Sequence, residues 1–123
     1  MQKQTALWAA LVAALVVGLF APAFRATAKE DMDMMQMMMQ AKTPADHEKL
    51  AAQYDQEAAE ARAKAAMHKK MAAEVRAGKY GGAAIAKTHY DTHCDALVAS
   101  FTTTAEEYAG LATAEREMAK QMK

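Results

Sequence analysis

The chain has 123 residues, with 15 basic and 15 acidic side chains, and 53% of it is hydrophobic but only 7% aromatic. That length holds one domain, and the balanced charge argues against nucleic-acid binding, which needs a basic patch, and gives no support to a strong electrostatic hold on anionic lipid. Cys94 is the only cysteine, which excludes an intrachain disulfide.

Residues 1–28 read as an export signal. Lys3 supplies a positive start, Ala6 to Ala21 is an uncharged apolar run, and Ala26-Thr27-Ala28 gives the small-x-small pattern before a cleavage point. Removal after Ala28 is expected, with Ala23 as the alternative cut. Ala6 to Phe24 is about long enough to cross a bilayer, so an uncleaved segment would act as an anchor. No cysteine follows the run to carry a lipid. The chain is therefore expected to be exported to a periplasm or cell envelope, and to meet a membrane only if this segment stays attached.

Residues 29–43, KEDMDMMQMMMQAKT, follow as a flexible arm, in part helical. Met32, Met34, Met35, Met37, Met38 and Met39 place six thioethers within eight residues. They fall on every side of a notional helix, so no single face is set for burial.

The first long helix is expected over 44–77. Thr43 can cap it, Pro44 occupies the first helical position, and Asp46 completes a box near the positive helix end. Ala, Glu, Lys, Gln and Arg dominate, all strong helix formers. Leu50, Tyr54, Ala58, Ala61, Ala65, His68, Ala72 and Val75 follow steps of three and four and form one stripe. Gly78 supplies the stop.

The glycines at 78, 81 and 82 mark a turn, taken as 78–87, in which Ala83 to Lys87 form either loop or an early helical turn. The second helix is expected over 88–122, capped by Thr88 with Asp91 three residues on. Its stripe, Tyr90, Cys94, Leu97, Phe101, Thr104, Tyr108, Leu111, Glu115, Met118 and Met122, alternates steps of four and three, which is a heptad seam. Thr102-Thr103-Thr104 is its weak point in helix propensity. Two long helices joined by a short turn must pack antiparallel. The expected fold is all-α, a coiled-coil-like antiparallel two-helix hairpin over 44–123. So small a core favours completion of a four-helix bundle by homodimerisation.

Two clusters carry metal-binding chemistry. The arm is one: thioether sulfur is a soft, neutral donor that suits Cu(I), needs no deprotonation and forms no disulfide. The second is His89, His93 and Cys94. His89 and His93 are four apart and share a helical face, and an antiparallel register brings His68 and Met71 close to that level. Cu(I) is the best match for these donors and Zn(II) a poorer one; heme fits less well, since no CxxCH is present for covalent attachment. Cys94 on the seam also suits a small buried hydrophobe, and His47 in the first helical turn reads as a surface residue.

No enzyme is expected. The chain has no Gly-rich phosphate loop and no HExxH, and His93 and Cys94 are adjacent on a helix, so they point apart where a nucleophile and its base must meet. The arm resembles the methionine-rich segments of periplasmic copper-handling proteins, over this segment alone and without a shared fold. The expected function is binding of soft metal ions, Cu(I) foremost, for sequestration or handover. The alternative is a structural or adaptor hairpin that self-associates or binds another envelope protein, and a third reading takes the methionines as a sacrificial oxidant buffer.

Overall fold

The computed structural model describes residues 33–122. The expected export signal, the start of the arm and Met32 lie outside the described residues. The chain divides into two units, one up to Met39 and one from Gln40 onward. In the first, the described residues, 33–39, are helical, and the helix ends at Gln40. The second is a hairpin of α1 (Pro44–Arg76) and α3 (Tyr90–Gln121), with the short α2 (Gly82–Ile85) between them. Described residues contain no strand.

Each end of α1 is closed by a defined set of hydrogen bonds. Thr43 is extended, and its hydroxyl accepts from the Asp46 backbone N–H at 3.2 Å. The Asp46 carboxylate in turn accepts from the backbone N–H groups of Thr43 and Lys42 at 3.0 and 3.1 Å. These bonds satisfy amides that a helix start leaves orphaned. At the other end Gly78 adopts a left-handed φ of 71°. Its N–H donates to the Val75 carbonyl and that of Lys79 to the Glu74 carbonyl, the paired bonds of a Schellman stop.

Of the two readings for 83–87, the connection takes the helical turn, as α2, while the cap of α3 differs from the one expected. Gly81 has φ +72°, and a Cβ there would sit 2.7 Å from the Ile85 Cβ, so only glycine fits. Thr88 does not cap α3. Its hydroxyl donates backward to the Ile85 carbonyl at 2.7 Å and closes α2 instead. His89 takes the cap position with a left-handed φ of 54° and no side-chain capping bond.

Most of the α1 stripe packs as expected: Leu50, Tyr54, Ala58, Ala61, Ala65 and Ala72 are buried, Ala51 joins them, and His68 and Val75 are only half-buried. On α3 the seam is rotated by one position at every second step. Ala105, Ala112 and Ala119 are 2%, 0% and 1% exposed, while Leu97, Leu111 and Met118 are 40%, 45% and 40% exposed. Cys94 and Glu115 remain buried and Phe101 and Tyr108 half-buried, so both stripes share those residues. The physical reason lies in the partner. The seam of α1 is itself mostly alanine, and alanine facing alanine lets helices approach closely and bury backbone as well as side chain. Leucines at those positions would hold the helices apart, so they ride at the rim.

Larger side chains fill the gaps between alanine layers. Tyr54 stacks with Tyr108 at 6.2 Å between ring centroids, and His68 lies nearly parallel to Phe101 at 5.6 Å. Along one flank Arg76 reaches Asp91 and Asp95, and Arg116 reaches Asp55 and Glu48. These half-exposed pairs fix register more than they add stability. Thr102 and Thr104 return their hydroxyls to the carbonyls of Val98 and Ser100, so the β-branched run stays helical.

Candidate functional site

The described methionines of the arm differ in exposure. Met35, Met38 and Met39 are 62%, 51% and 75% exposed, and Met34 and Met37 are half-buried. Because residues 33–40 are helical, positions 35, 38 and 39 share one face, with neighbouring Cβ atoms about 5–6 Å apart. Three methionines therefore stand within about one turn of each other, free of the thiolate chemistry that oxidation would destroy. An all-round distribution of methionine offers such a face whichever way the helix turns.

The histidines and cysteine of the hairpin are distributed differently. Cys94 is 3% exposed and lies in the seam, whereas His93 is exposed. Adjacent helical residues are turned by about 100°, so a face that buries one presents the other to water. His89 is exposed in the turn, held there by its backbone conformation. Stacking on Phe101 occupies the His68 ring, and its Nδ1 is buried without a hydrogen-bond partner. Among the described residues no three His, Cys, Asp or Glu side chains come together closely enough to hold a metal ion. Met71 faces a separate cleft.

That cleft, of about 330 Å³, lies beside the turn and is lined by Met67, Lys70, Met71, Glu74, Val75, Tyr80 and Tyr90. The Tyr80 and Tyr90 rings lie 5.7 Å apart and tilted by 47°. Gly81 makes the fold-back that carries Tyr80 against the first residue of α3.

Sequence reasoning missed one polar cluster altogether. His47, read as a surface residue, lies with its Nδ1 2.6 Å from the Glu115 carboxylate, in a part-buried pair. Tyr54 is close enough that burial first, then the Glu115 carboxylate and Tyr108, raise its phenol above the usual value of 10.0. The available signal was Glu115 itself: a carboxylate on a seam needs a partner, and His47 heads the matching stripe on α1.

No protein-family model, curated protein or solved structure matches the chain. Its functional reading therefore rests on its own residues.

Proposed function

We propose that this is an exported protein of the periplasm or cell envelope that binds soft metal ions, Cu(I) foremost, for sequestration or handover. The observation that carries the reading is the exposure of Met35, Met38 and Met39 on one helical face. Burying thioethers would be the ordinary use of methionine; displaying several together leaves apolar surface in water and gains nothing for the fold. A soft ion with two to four sulfur donors would offset that cost, and hard, strongly hydrated cations would find no oxygen ligands there. The reaction class is binding, without catalysis.

The test is Cu(I) titration under reducing conditions with a competing chelator. The variant carries leucine at Met32, Met34, Met35, Met37, Met38 and Met39, which preserves volume and helix propensity. Loss of most tight uptake in that variant is the expected result. Equal uptake by both proteins, or none by either, rejects the arm as the site.

One observation favours a second reading, a self-associating or adaptor hairpin. Leu97, Leu111 and Met118 form an exposed row at seven-residue spacing along α3. Thr104 completes the row, with its hydroxyl tied back to Ser100. Such a row is what another helix packs against, and a homodimeric four-helix bundle would cover it. Light-scattering mass of the parent against Leu97→Gln/Leu111→Gln decides this reading independently of metal.

A further inference from the structure

We infer that the cleft beside the turn is a second soft-cation site, in which Met67 and Met71 hold one ion between their sulfurs under the Tyr80 and Tyr90 rings. The inference rests on the same soft-ion chemistry as the arm but on a different set of atoms.

The first ground is spacing. Met67 and Met71 are four apart on α1, so their Cβ atoms stand about 5–6 Å apart on one face. Both side chains line the same cleft, and Met67 is 52% exposed, which leaves its thioether free to move onto an ion. A d10 monovalent ion accepts two sulfur donors in a near-linear arrangement, a demand that two flexible thioethers one helical turn apart can meet.

Aromatic rings provide the second ground. Tyr80 and Tyr90 bound the same space, with their rings 5.7 Å apart and tilted. A cation within about 6 Å of a ring face is attracted by the quadrupole, more strongly where water is displaced. The other wall is Val75 together with the aliphatic stems of Lys70 and Glu74.

The third ground is what the cleft would refuse. Its charged neighbours are Lys70, Glu74 and Lys79, the last paired with Glu74 at 3.4 Å. Two ammonium groups against one carboxylate give a hard divalent cation no attraction, and the walls cannot replace its hydration shell. Only an ion that gains from sulfur donation and ring faces would stay. Lys70 can swing its charge to solvent while its stem remains on the wall.

The experiment follows the methionine methyl resonances, isotope-labelled, in protein purified from cells expressing the full chain. Ag(I), a redox-inert soft ion, is added in chloride-free buffer, and Met67→Leu and Met71→Leu identify the two signals. The expected result is that the Met67 and Met71 methyls shift together, with the Tyr80 and Tyr90 ring protons, and that they still do so when the arm methionines are leucine. Either single substitution weakens the response of the remaining methionine at least about tenfold, since half the donor set is lost; Zn(II) and Ca(II) leave both methyls in place. If arm methyls move while Met67 and Met71 stay fixed, the cleft site is wrong and the arm reading stands. Movement of the cleft methyls alone rejects the arm and keeps the cleft. A Met71 response unchanged by Met67→Leu shows that no ion is shared, and overturns the inference.

Discussion

His47 Nδ1 and Glu115 Oε2 lie 2.6 Å apart across the open end of the hairpin, with side chains only 13% and 9% exposed. The pair ties the start of α1 to the last turns of α3, where no loop joins them. Removing one member leaves the other shielded from water without its partner, which costs more than the bond itself contributed. His47→Ala and Glu115→Ala should each lower unfolding stability by about 2 kcal/mol, and the double variant should lose clearly less than the sum. Denaturant midpoints of the four proteins check this. Full additivity would show that the two side chains do not depend on each other.

Acid and alkali should act on different groups. Asp46 is held below the ordinary carboxylate value of 3.8 by the Lys42 backbone N–H, then by the Thr43 hydroxyl and backbone; Asp55 is held below it by its bond to Arg116. A carboxyl depressed in the folded state contributes stability above its unfolded value, and loses it as pH falls through the folded value. Melting temperature should therefore fall below about pH 4, and Asp46→Asn together with Asp55→Asn should flatten that limb. Tyr54 has the opposite sign. Its phenol is raised, chiefly by burial, so folding holds its proton more tightly and stability drops as pH climbs past 10.0 toward the folded value. Tyr54→Phe should remove that part of the alkaline limb while leaving the acid limb unchanged.

The rotated seam gives the sharpest contrast between neighbours. Ala112 is 0% exposed and Leu111 is 45% exposed. Ala112→Leu should destabilise by about 1–3 kcal/mol, because a close-packed alanine layer has no space for three more carbons. Leu111→Ala should cost well under what a buried leucine costs, about 2–5 kcal/mol. Reversal of this order, read from thermal or denaturant unfolding, would restore the seam on which Leu111 is the buried residue.

That contrast also marks what the sequence could and could not convey. Pro44, Gly78 and Gly81 carry their backbone consequences in their own covalent structure, so the start of α1, its stop and the place of the turn were legible. The α1 stripe was legible because alanine and tyrosine recur on it without competition. On α3 two stripes one residue apart share Cys94, Phe101, Tyr108 and Glu115, and hydrophobicity alone chooses Leu97, Leu111 and Met118 over Ala105, Ala112 and Ala119. The choice falls to the alanines because of what α1 presents, which a one-helix pattern does not contain. For the same reason the proximity of His68, Met71, His93 and Cys94 along the axis did not reveal their facing: Cys94 lies in the seam, Met71 in the cleft and His93 in solvent. The density of methionine in the arm was legible, and the helix over 33–40 places Met35, Met38 and Met39 on one exposed face.

Gly81 and Gly78 both have left-handed backbones but differ in space. Alanine at Gly81 would meet Ile85 at 2.7 Å, whereas nothing lies within 4 Å of a Cβ at Gly78. Gly78→Ala should cost about 1–2 kcal/mol, the conformational term alone. Gly81→Ala should cost more, but in an Ile85→Gly background, where the Cβ it would strike is gone, it should cost about as much as Gly78→Ala. If the two alanine variants unfold at the same midpoint, Ile85 does not pack on this turn.

His89 is the one described residue other than glycine with a positive φ, 54°, at the cap of α3 with no side-chain bond to compensate. Glycine adopts that backbone without the Cβ penalty but loses more freedom on folding. A left-handed penalty of about 1–2 kcal/mol against a glycine cost of about 0.5–1 kcal/mol leaves a net gain for His89→Gly of up to about 1 kcal/mol. The same substitution removes an imidazole that was expected, with His93, to be a metal ligand, so stability and metal uptake test two different roles in one variant. With the arm as the principal site, the expected outcome is a higher melting temperature and Cu(I) uptake equal to the parent. A fall in uptake with no gain in stability would make His89 a ligand whose backbone strain is maintained for the metal.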